Sequence, residues 1–456
     1  MSSLTDLLFI FRFASCFILF YYMVPASMRM WVLFLGSFTF YSFGQPRWWM
    51  VLLAATIINY LIGRRTSLKS RAFLLLAILL DVGLLVVFKI LGFTISIDFL
   101  PIGISFYTFK MISYQADLYT GKLKERPDFK ETAAYFFFFP QILQGPIMRA
   151  DNMYSSAMWI DNKVSSRKER IGIYLSSIED GLKYFIMGMA MKILIADHLA
   201  ILWNDLNTIG YESISTPLSW IGAIAYSLEL YFDFWGYSLM AAGLGVMLGF
   251  PFIRNFNHPY ASTGVRDFYR RWHESLGNWF KDYIYIPLGG SQKGTFRSII
   301  NLFVVWLVTG LWHGITANFI IWGMLLFAII VFEKYILSRH KKIFAVVSRF
   351  NVFVLIPVSW VIFAINDIGR LKVYLTRMFP FIATSAYVNR TDYIKYLVLY
   401  WPYLLLGIIF LIPFVFDFCE KNRKNIAATF AFFILFWLCI YSIANTAGNP
   451  LMYLKF

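Results

Sequence analysis

With 59% hydrophobic, 20% aromatic and only 14% charged residues, a chain of 456 residues is too apolar for an ordinary soluble domain, whose apolar and charged shares are nearer a half and a quarter. A net charge of +16 would suggest a nucleic-acid partner in a soluble protein, but here the basic residues cluster in short loops between apolar runs, as cytoplasmic loops do, and no nucleic-acid partner is expected. Continuous apolar runs such as Ile299 to Val308 exclude the alternation of a β-barrel and leave an all-α polytopic membrane protein, one integral domain over residues 1–456 with no soluble module.

Spans are predicted at 7–25, 30–44, 47–63 and 73–97, where about 20 apolar residues cross about 30 Å of hydrocarbon. Asp6 precedes Arg12, so the first run lacks the basic start of a cleaved signal peptide. The loop holding Arg64, Arg65, Lys69 and Arg71 is expected to be cytoplasmic. Residues 101–119 are apolar but carry Lys110, Gln115 and Asp117, so this helix is expected inside the bundle, away from lipid. A second basic loop (Lys122, Lys124, Arg126, Lys130) leads into YFFFFPQILQGPIMR, where Pro140, Gly145 and Pro146 interrupt any spanning helix. Irregular backbone at membrane depth needs protein around it, so the segment is read as re-entrant.

Another basic loop, Lys163 to Arg170, precedes a long segment to about Trp203 with Lys192, Asp197 and His198. WNDLNTIGYESISTP has no Lys or Arg and is assigned to the opposite side. Residues 217–250 return with Glu229 and Asp233, which must face the bundle interior. The run from about 299 to 337 is too long for one span and reads as a hairpin with its apex near Gly310 and Gly314. Spans at 343–366, 394–416 and 426–443 complete about eleven or twelve crossings. That count puts Arg370, Lys372 and Arg377 outside, against the charge rule. Cys16, Cys419 and Cys439 have no paired or metal spacing, and no metal site is expected; juxtamembrane Cys419 is either an acylation site or a plain free thiol.

The catalytic core segment is placed at 252–323. Taken at 100° per residue, Phe268, Trp272, Leu276, Trp279 and Tyr283 share an arc of roughly 80° opposite Arg270, Arg271, Glu274, Asn278 and Lys281. The spacing predicts one helix lying along the membrane surface with its aromatic side at the headgroups. His273 falls on the shoulder between the two faces. The cations either bind anionic lipid or, with Lys293 and Arg297, collect a phosphate-bearing substrate from the cytoplasm. GGSQKGT lacks the spacing of a phosphate loop.

His313, in TGLWHG within the apolar hairpin, is a functional candidate because an intramembrane imidazole is expensive to place and can take a proton near neutral pH. The plainer alternative is a histidine that only hydrogen-bonds a neighbouring helix. There is no Gly-x-Ser-x-Gly elbow, no His-Glu-x-x-His and no Cys-x-x-Cys, so an enzyme built here would use His313 as a base on a hydroxyl without a covalent serine. The residues alone imply an intramembrane base with a cationic cytoplasmic mouth, and do not name the reaction.

NFNHPYASTGVRDFYRRWHESLGNWFKDYIYIPLGG followed by GLWHG resembles the membrane-bound O-acyltransferase family, in its bacterial alginate O-acetylation branch. PIGISFYTFKMISYQADLY, FFPQILQGPIMR, MKILIAD, YFDFWGYSLMAAGLG and the tail NPLMYLKF extend the match nearly end to end. The resemblance implies a helical bundle with re-entrant and interfacial helices in the bacterial cytoplasmic membrane. It implies acyl transfer from cytoplasmic acetyl-CoA, a donor substrate and not a bound cofactor, toward a polysaccharide outside, with delivery completed by an extracytoplasmic SGNH-like O-acetyltransferase partner.

By the same match His313 corresponds to the intramembrane catalytic histidine and His273 to a second histidine on the cytoplasmic side. Arg270, Arg271 and Lys281 would form the donor mouth. Tyr453 resembles a tyrosine that relays the acyl group, although an interfacial anchor is the commoner use of a tail tyrosine. Trp235 and Met240 stand where the family motif has Ser and Asp, Gly236-Tyr237-Ser238-Leu239 is closer to the teichoic-acid D-alanylation branch, and Ala364 replaces an arginine of alginate-type relatives. Pro287 to Gly294, PLGGSQKG, favours acetyl-CoA. Two rivals stay open: D-alanyl transfer from a carrier-protein thioester to teichoic acid, and a polysaccharide transporter or export channel, for which the internal repeats of many transporters are missing.

Overall fold

A computed structural model describes residues 3–67, 70–123, 125–157, 166–381 and 389–445, and among them helix is the only extended regular structure. Lys69, Lys124, Lys163 and Tyr453 lie outside the described residues. The chain divides into two compact units, Met1–Met189 with Tyr237–Arg254, and Ala190–Gly236 with Asn255–Phe456.

The first unit holds α1 (Phe9–Met23), α2 (Ala26–Gly44), α3 (Trp49–Gly63), α4 (Arg71–Thr94), α5 (Ile104–Thr120), α6 (Phe129–Phe137) and α7 (Phe139–Ile142). Its core is aromatic: the Phe139 ring stands edge-on to Phe13 and Phe17 at 5.4 and 5.3 Å, an arrangement favoured by ring quadrupoles. α5 is almost entirely buried, as its polar residues require. Lys110 donates to the Tyr135 carbonyl at 3.0 Å, and Gln115 bridges Asn59 and Thr66 at 3.0 Å to each side chain. Beside α5, residues 132–148 are buried throughout while the helix breaks at Phe138 and again after Ile142, so the irregular backbone is enclosed by protein. Arg126 donates to the carbonyls of Arg64 and, at 2.8 Å, Thr66, which puts the first two basic loops on the same side.

α8 (Arg167–Ile209) and α9 (Thr216–Met247) supply residues to both units. Within the second, Met191–Ala196 is a π-helical stretch that turns Lys192 toward Asp197 and Asp233, at 2.5 and 2.6 Å. A buried cation is tolerated when opposite charges surround it, and this triad explains how three charges sit in apolar helices.

The remaining helices are α10 (Val265–Arg271), α11 (Glu274–Phe280), α12 (Gly294–His313), α13 (Ala317–Tyr335), α14 (Ile343–Ala364), α15 (Ile368–Met378), α16 (Asp392–Leu411), α17 (Pro413–Asn422) and α18 (Ile426–Asn445). α12 and α13 form the expected hairpin, and α14 packs on α13. Gly310 is needed where they cross, because a β-carbon there would stand 2.7 Å from the Phe319 carbonyl oxygen.

Seven described helices are long and apolar enough to cross a membrane, with α1 and α3 as shorter apolar helices. The sequence count of eleven or twelve is higher because it included segments such as α2 and α9. Those are of crossing length but carry polar side chains, and Glu229 and Asp233 of α9 are buried in protein. Two of the three misplaced cations also find an explanation. Arg370 on α15 donates to the Asn207 carbonyl at 3.0 Å and lies over the Tyr211 ring, and Arg377 donates to the Glu212 carbonyl. Both are therefore held against the acidic loop that the charge pattern assigned to the non-cytoplasmic side.

Candidate active site

The single surface helix expected from Phe268 to Tyr283 is two short helices with a sharp break. Trp272 is extended, with φ −94° and ψ 123°, and His273 is left-handed, with φ 49° and ψ 54°. A bulky residue in that region costs about 1–3 kcal/mol, and the segment NFN provides the compensation. The Asn257 amide donates to the Arg271 carbonyl at 3.0 Å and the Glu274 amide to the Asn255 carbonyl at 2.8 Å. The break interrupts the aromatic arc, and its members Phe268, Trp272, Leu276 and Trp279 are all buried. They face protein, whereas periodicity suggested headgroups.

The break places His273 under local control. The Asn255 side-chain oxygen accepts from the Ser275 hydroxyl at 2.9 Å and its amide at 3.4 Å, and lies 2.8 Å from His273 Nδ1. A carbonyl oxygen can only accept, so Nδ1 carries the proton and Nε2 presents its lone pair. Nε2 is buried and has no hydrogen-bond partner among the described residues. Burial pushes the imidazole down to about 3 from its ordinary 6.5, because desolvation disfavours the charged ring. At physiological pH His273 is therefore a neutral acceptor.

His313 is the last residue of α12 and is 9% exposed. Trp312, Phe363 and Trp322 surround its ring at centroid distances of 4.5, 4.9 and 5.2 Å. Leu311 and Ile315 on either side are each 41% exposed, so the outer surface beside it is apolar.

Both histidines line one cavity of about 280 Å³, partly open, whose wall also includes Tyr269, Trp272, Trp306, Trp322 and Trp360. Exposed Lys281 stands on the same wall, within the π-helical stretch Lys281–Tyr285, a distortion often found at functional sites. His273, His313 and Lys281 are thus brought together. Arg270 and Arg271 are not: they pair with Asp267 at 2.5 and 3.0 Å and line a separate cleft. Their side chains leave α10 on the face away from Tyr269 and Trp272. No group of three or more His, Cys, Asp or Glu suited to a metal occurs among the described residues.

Sequence reasoning missed two polar groups. Asn255 orients His273, and its only signal was its place in NFN. Tyr285 lines the cavity with its hydroxyl 2.8 Å from Ser291 and 2.9 Å from Ser298, while Lys334 donates to Ser298 at 3.1 Å. Burial tends to raise the Tyr285 phenol, but the serine hydrogen bonds and the Lys334 charge outweigh it and hold the phenol below its usual value.

Residues 121–374, more than half of the chain, match the sequence model of the membrane-bound O-acyltransferase family. A protein of Pseudomonas fluorescens named as a probable alginate O-acetylase is 35% identical, over 80% of this chain and 73% of the relative. The Helicobacter pylori peptidoglycan O-acetyltransferase is 31% identical over 80% and 78%. The Bacillus subtilis teichoic acid D-alanyltransferase is 29% identical over 49% and 56%.

Proposed function

The chain belongs to the membrane-bound O-acyltransferase family, and from that premise we propose that it takes an acetyl group from cytoplasmic acetyl-CoA and passes it across the bacterial cytoplasmic membrane. The acetyl group ends on a hydroxyl of an extracytoplasmic polysaccharide, with an SGNH-like transferase as partner. Family membership makes it a multi-pass membrane O-acyltransferase, and the export-channel alternative is set aside on that ground.

One observation carries the finer reading: a single apolar cavity joins exposed Lys281, the lone pair of His273 and the ring of His313. A cavity walled by aromatic rings suits a flexible thioester arm. His273 Nε2 can accept a hydrogen bond from an amide N–H of that arm, which positions the thioester. On the same wall His313 takes the proton of the attacking hydroxyl as its oxygen bonds to the thioester carbonyl carbon. The carbon–sulfur bond then breaks, and the leaving thiolate recovers the proton. Among the described residues no Asp or Glu lines the cavity, so the ammonium of a D-alanyl group would be buried there without a counter-charge, which favours the neutral acetyl group. Relatives named for O-acetylation also align over 80% of the chain, the D-alanyltransferase over 49%.

The test is release of free CoA thiol from acetyl-CoA by purified protein supplied with partner and polysaccharide. His313→Ala is expected to abolish release while binding of the donor persists. Undiminished turnover in that variant would remove His313 from the chemistry.

A further inference from the structure

At 100° per residue, Arg266, Asp267, Arg270 and Arg271 cover one side of α10, with Tyr269 and Trp272 roughly opposite. The second side faces the histidine cavity; the first lines a separate hollow of about 500 Å³, completed by Thr263, Glu333, Lys334 and Ser338. Four cations meet two carboxylates there. Both carboxylates are already engaged. Asp267 holds Arg270 and Arg271 and accepts from the Thr263 amide at 3.3 Å. Glu333, 2% exposed, accepts from the amides of Val265 and Arg266 at 3.0 and 3.1 Å and from Asn351 at 3.2 Å. Arg266 has no ion pair among the described residues. Among the described residues Lys334 has no ion pair: it donates to the Ser298 hydroxyl and lies over the Tyr335 ring at 4.8 Å. The Ser338 hydroxyl donates to the Lys334 carbonyl at 2.7 Å, so the hollow keeps a net positive charge and the Thr263 hydroxyl, the complement of a phosphate.

We propose that this cleft is a phosphate-binding site separate from the histidine cavity. Its ligand is either the nucleotide end of the acyl-CoA donor, which rests on the reading above, or the phosphate of an anionic phospholipid, which does not. Lys334 serves both spaces: through Ser298 it reaches Tyr285 on the cavity wall, so a phosphate that draws the ammonium away from Ser298 alters the hydrogen bonding of a cavity residue.

The full chain in nanodiscs of zwitterionic phosphatidylcholine is titrated with CoA and with 3′-dephospho-CoA. In parallel, discs containing phosphatidylglycerol are used and lipid retention is read by native mass spectrometry. Arg266 is exposed, so Arg266→Glu is compatible with folding, which an unchanged melting temperature verifies. Arg266→Glu is expected to weaken one of the two ligands by about tenfold or more, and Arg266→Lys to stay within about twofold of the natural protein. Loss of CoA affinity assigns the cleft to the donor, and loss of phosphatidylglycerol retention assigns it to lipid. Unchanged affinity for both in folded Arg266→Glu overturns the proposal. If the natural protein binds no CoA at all, the acetyl-CoA reading fails while the lipid arm still decides the cleft.

Discussion

The side-chain oxygen of Asn255 lies 2.8 Å from Nδ1 of His273, and this contact decides which nitrogen of the ring is free to meet a substrate. Replacing Asn255 by Ala leaves both the tautomer and the ring orientation unfixed. Losses of ten- to a hundredfold in kcat/KM are typical when an orienting partner is removed, and a fall of about that size is expected. Asn255→Asp should behave differently, since a carboxylate beside the ring favours its charged form and should bring an acid limb into the pH–rate profile near neutrality. A profile unchanged in Asn255→Asp would mean the contact is structural only.

The depressed pKa of His273, about 3, has a consequence for stability. Between that value and the ordinary 6.5 the unfolded chain binds a proton that the folded chain refuses. Stability from this residue is complete above about pH 6.5 and declines as pH falls toward 3. His273→Gln should therefore lose less melting temperature than the natural protein on going from about pH 7 to about pH 4. Scans at one fixed rate are the measurement, because membrane proteins often unfold irreversibly. Parallel declines would contradict the burial of a neutral ring.

Lys192 joins Asp197 and Asp233 at 2.5 and 2.6 Å. Lys192→Met removes the cation and leaves two carboxylates facing each other, a loss of about 3–5 kcal/mol for a broken buried pair. Adding Asp233→Asn should restore much of it. Thermal unfolding of the single and double variants reads this directly, and a Lys192→Met protein as stable as the natural one would show the triad to be dispensable.

The hairpin that carries His313 depends on the close approach at Gly310. Gly310→Leu forces α12 and α13 apart, since even the β-carbon would come within 2.7 Å of the Phe319 carbonyl, and overpacking of this kind costs about 1–3 kcal/mol. Thiol release should fall with stability. Gly245→Ala is the control, because nothing lies within 4 Å of a β-carbon there, and it should leave both unchanged.

A direct contest of donors tests the absence of carboxylates from the cavity wall. Acetyl-CoA should be consumed at least about tenfold faster than a D-alanyl carrier-protein thioester, the penalty expected for burying an ammonium without a counter-charge. Preference for the D-alanyl donor would reverse the assignment of acyl group and leave the family intact.

Much of this protein was legible from its residues in order. Length and position of apolar runs give the membrane class and the α12–α13 hairpin, since a helix in hydrocarbon must satisfy its own backbone. Lys110, Glu229 and Asp233 were placed in protein because lipid could not hold them, and His313 stood out as a group too expensive to bury without use, whereas the burial of His273 was not foreseen. Periodicity, however, reports which side chains share a face and says nothing of what that face meets. The arc of Phe268, Trp272, Leu276 and Trp279 turned out to pack against protein, and Arg270 and Arg271 were carried to a cleft that His313 does not line. Only the tertiary structure could decide this. The left-handed turn at His273 is held by hydrogen bonds from residues 255–257, and an α-helical period cannot register a break imposed by a segment lying elsewhere in the chain.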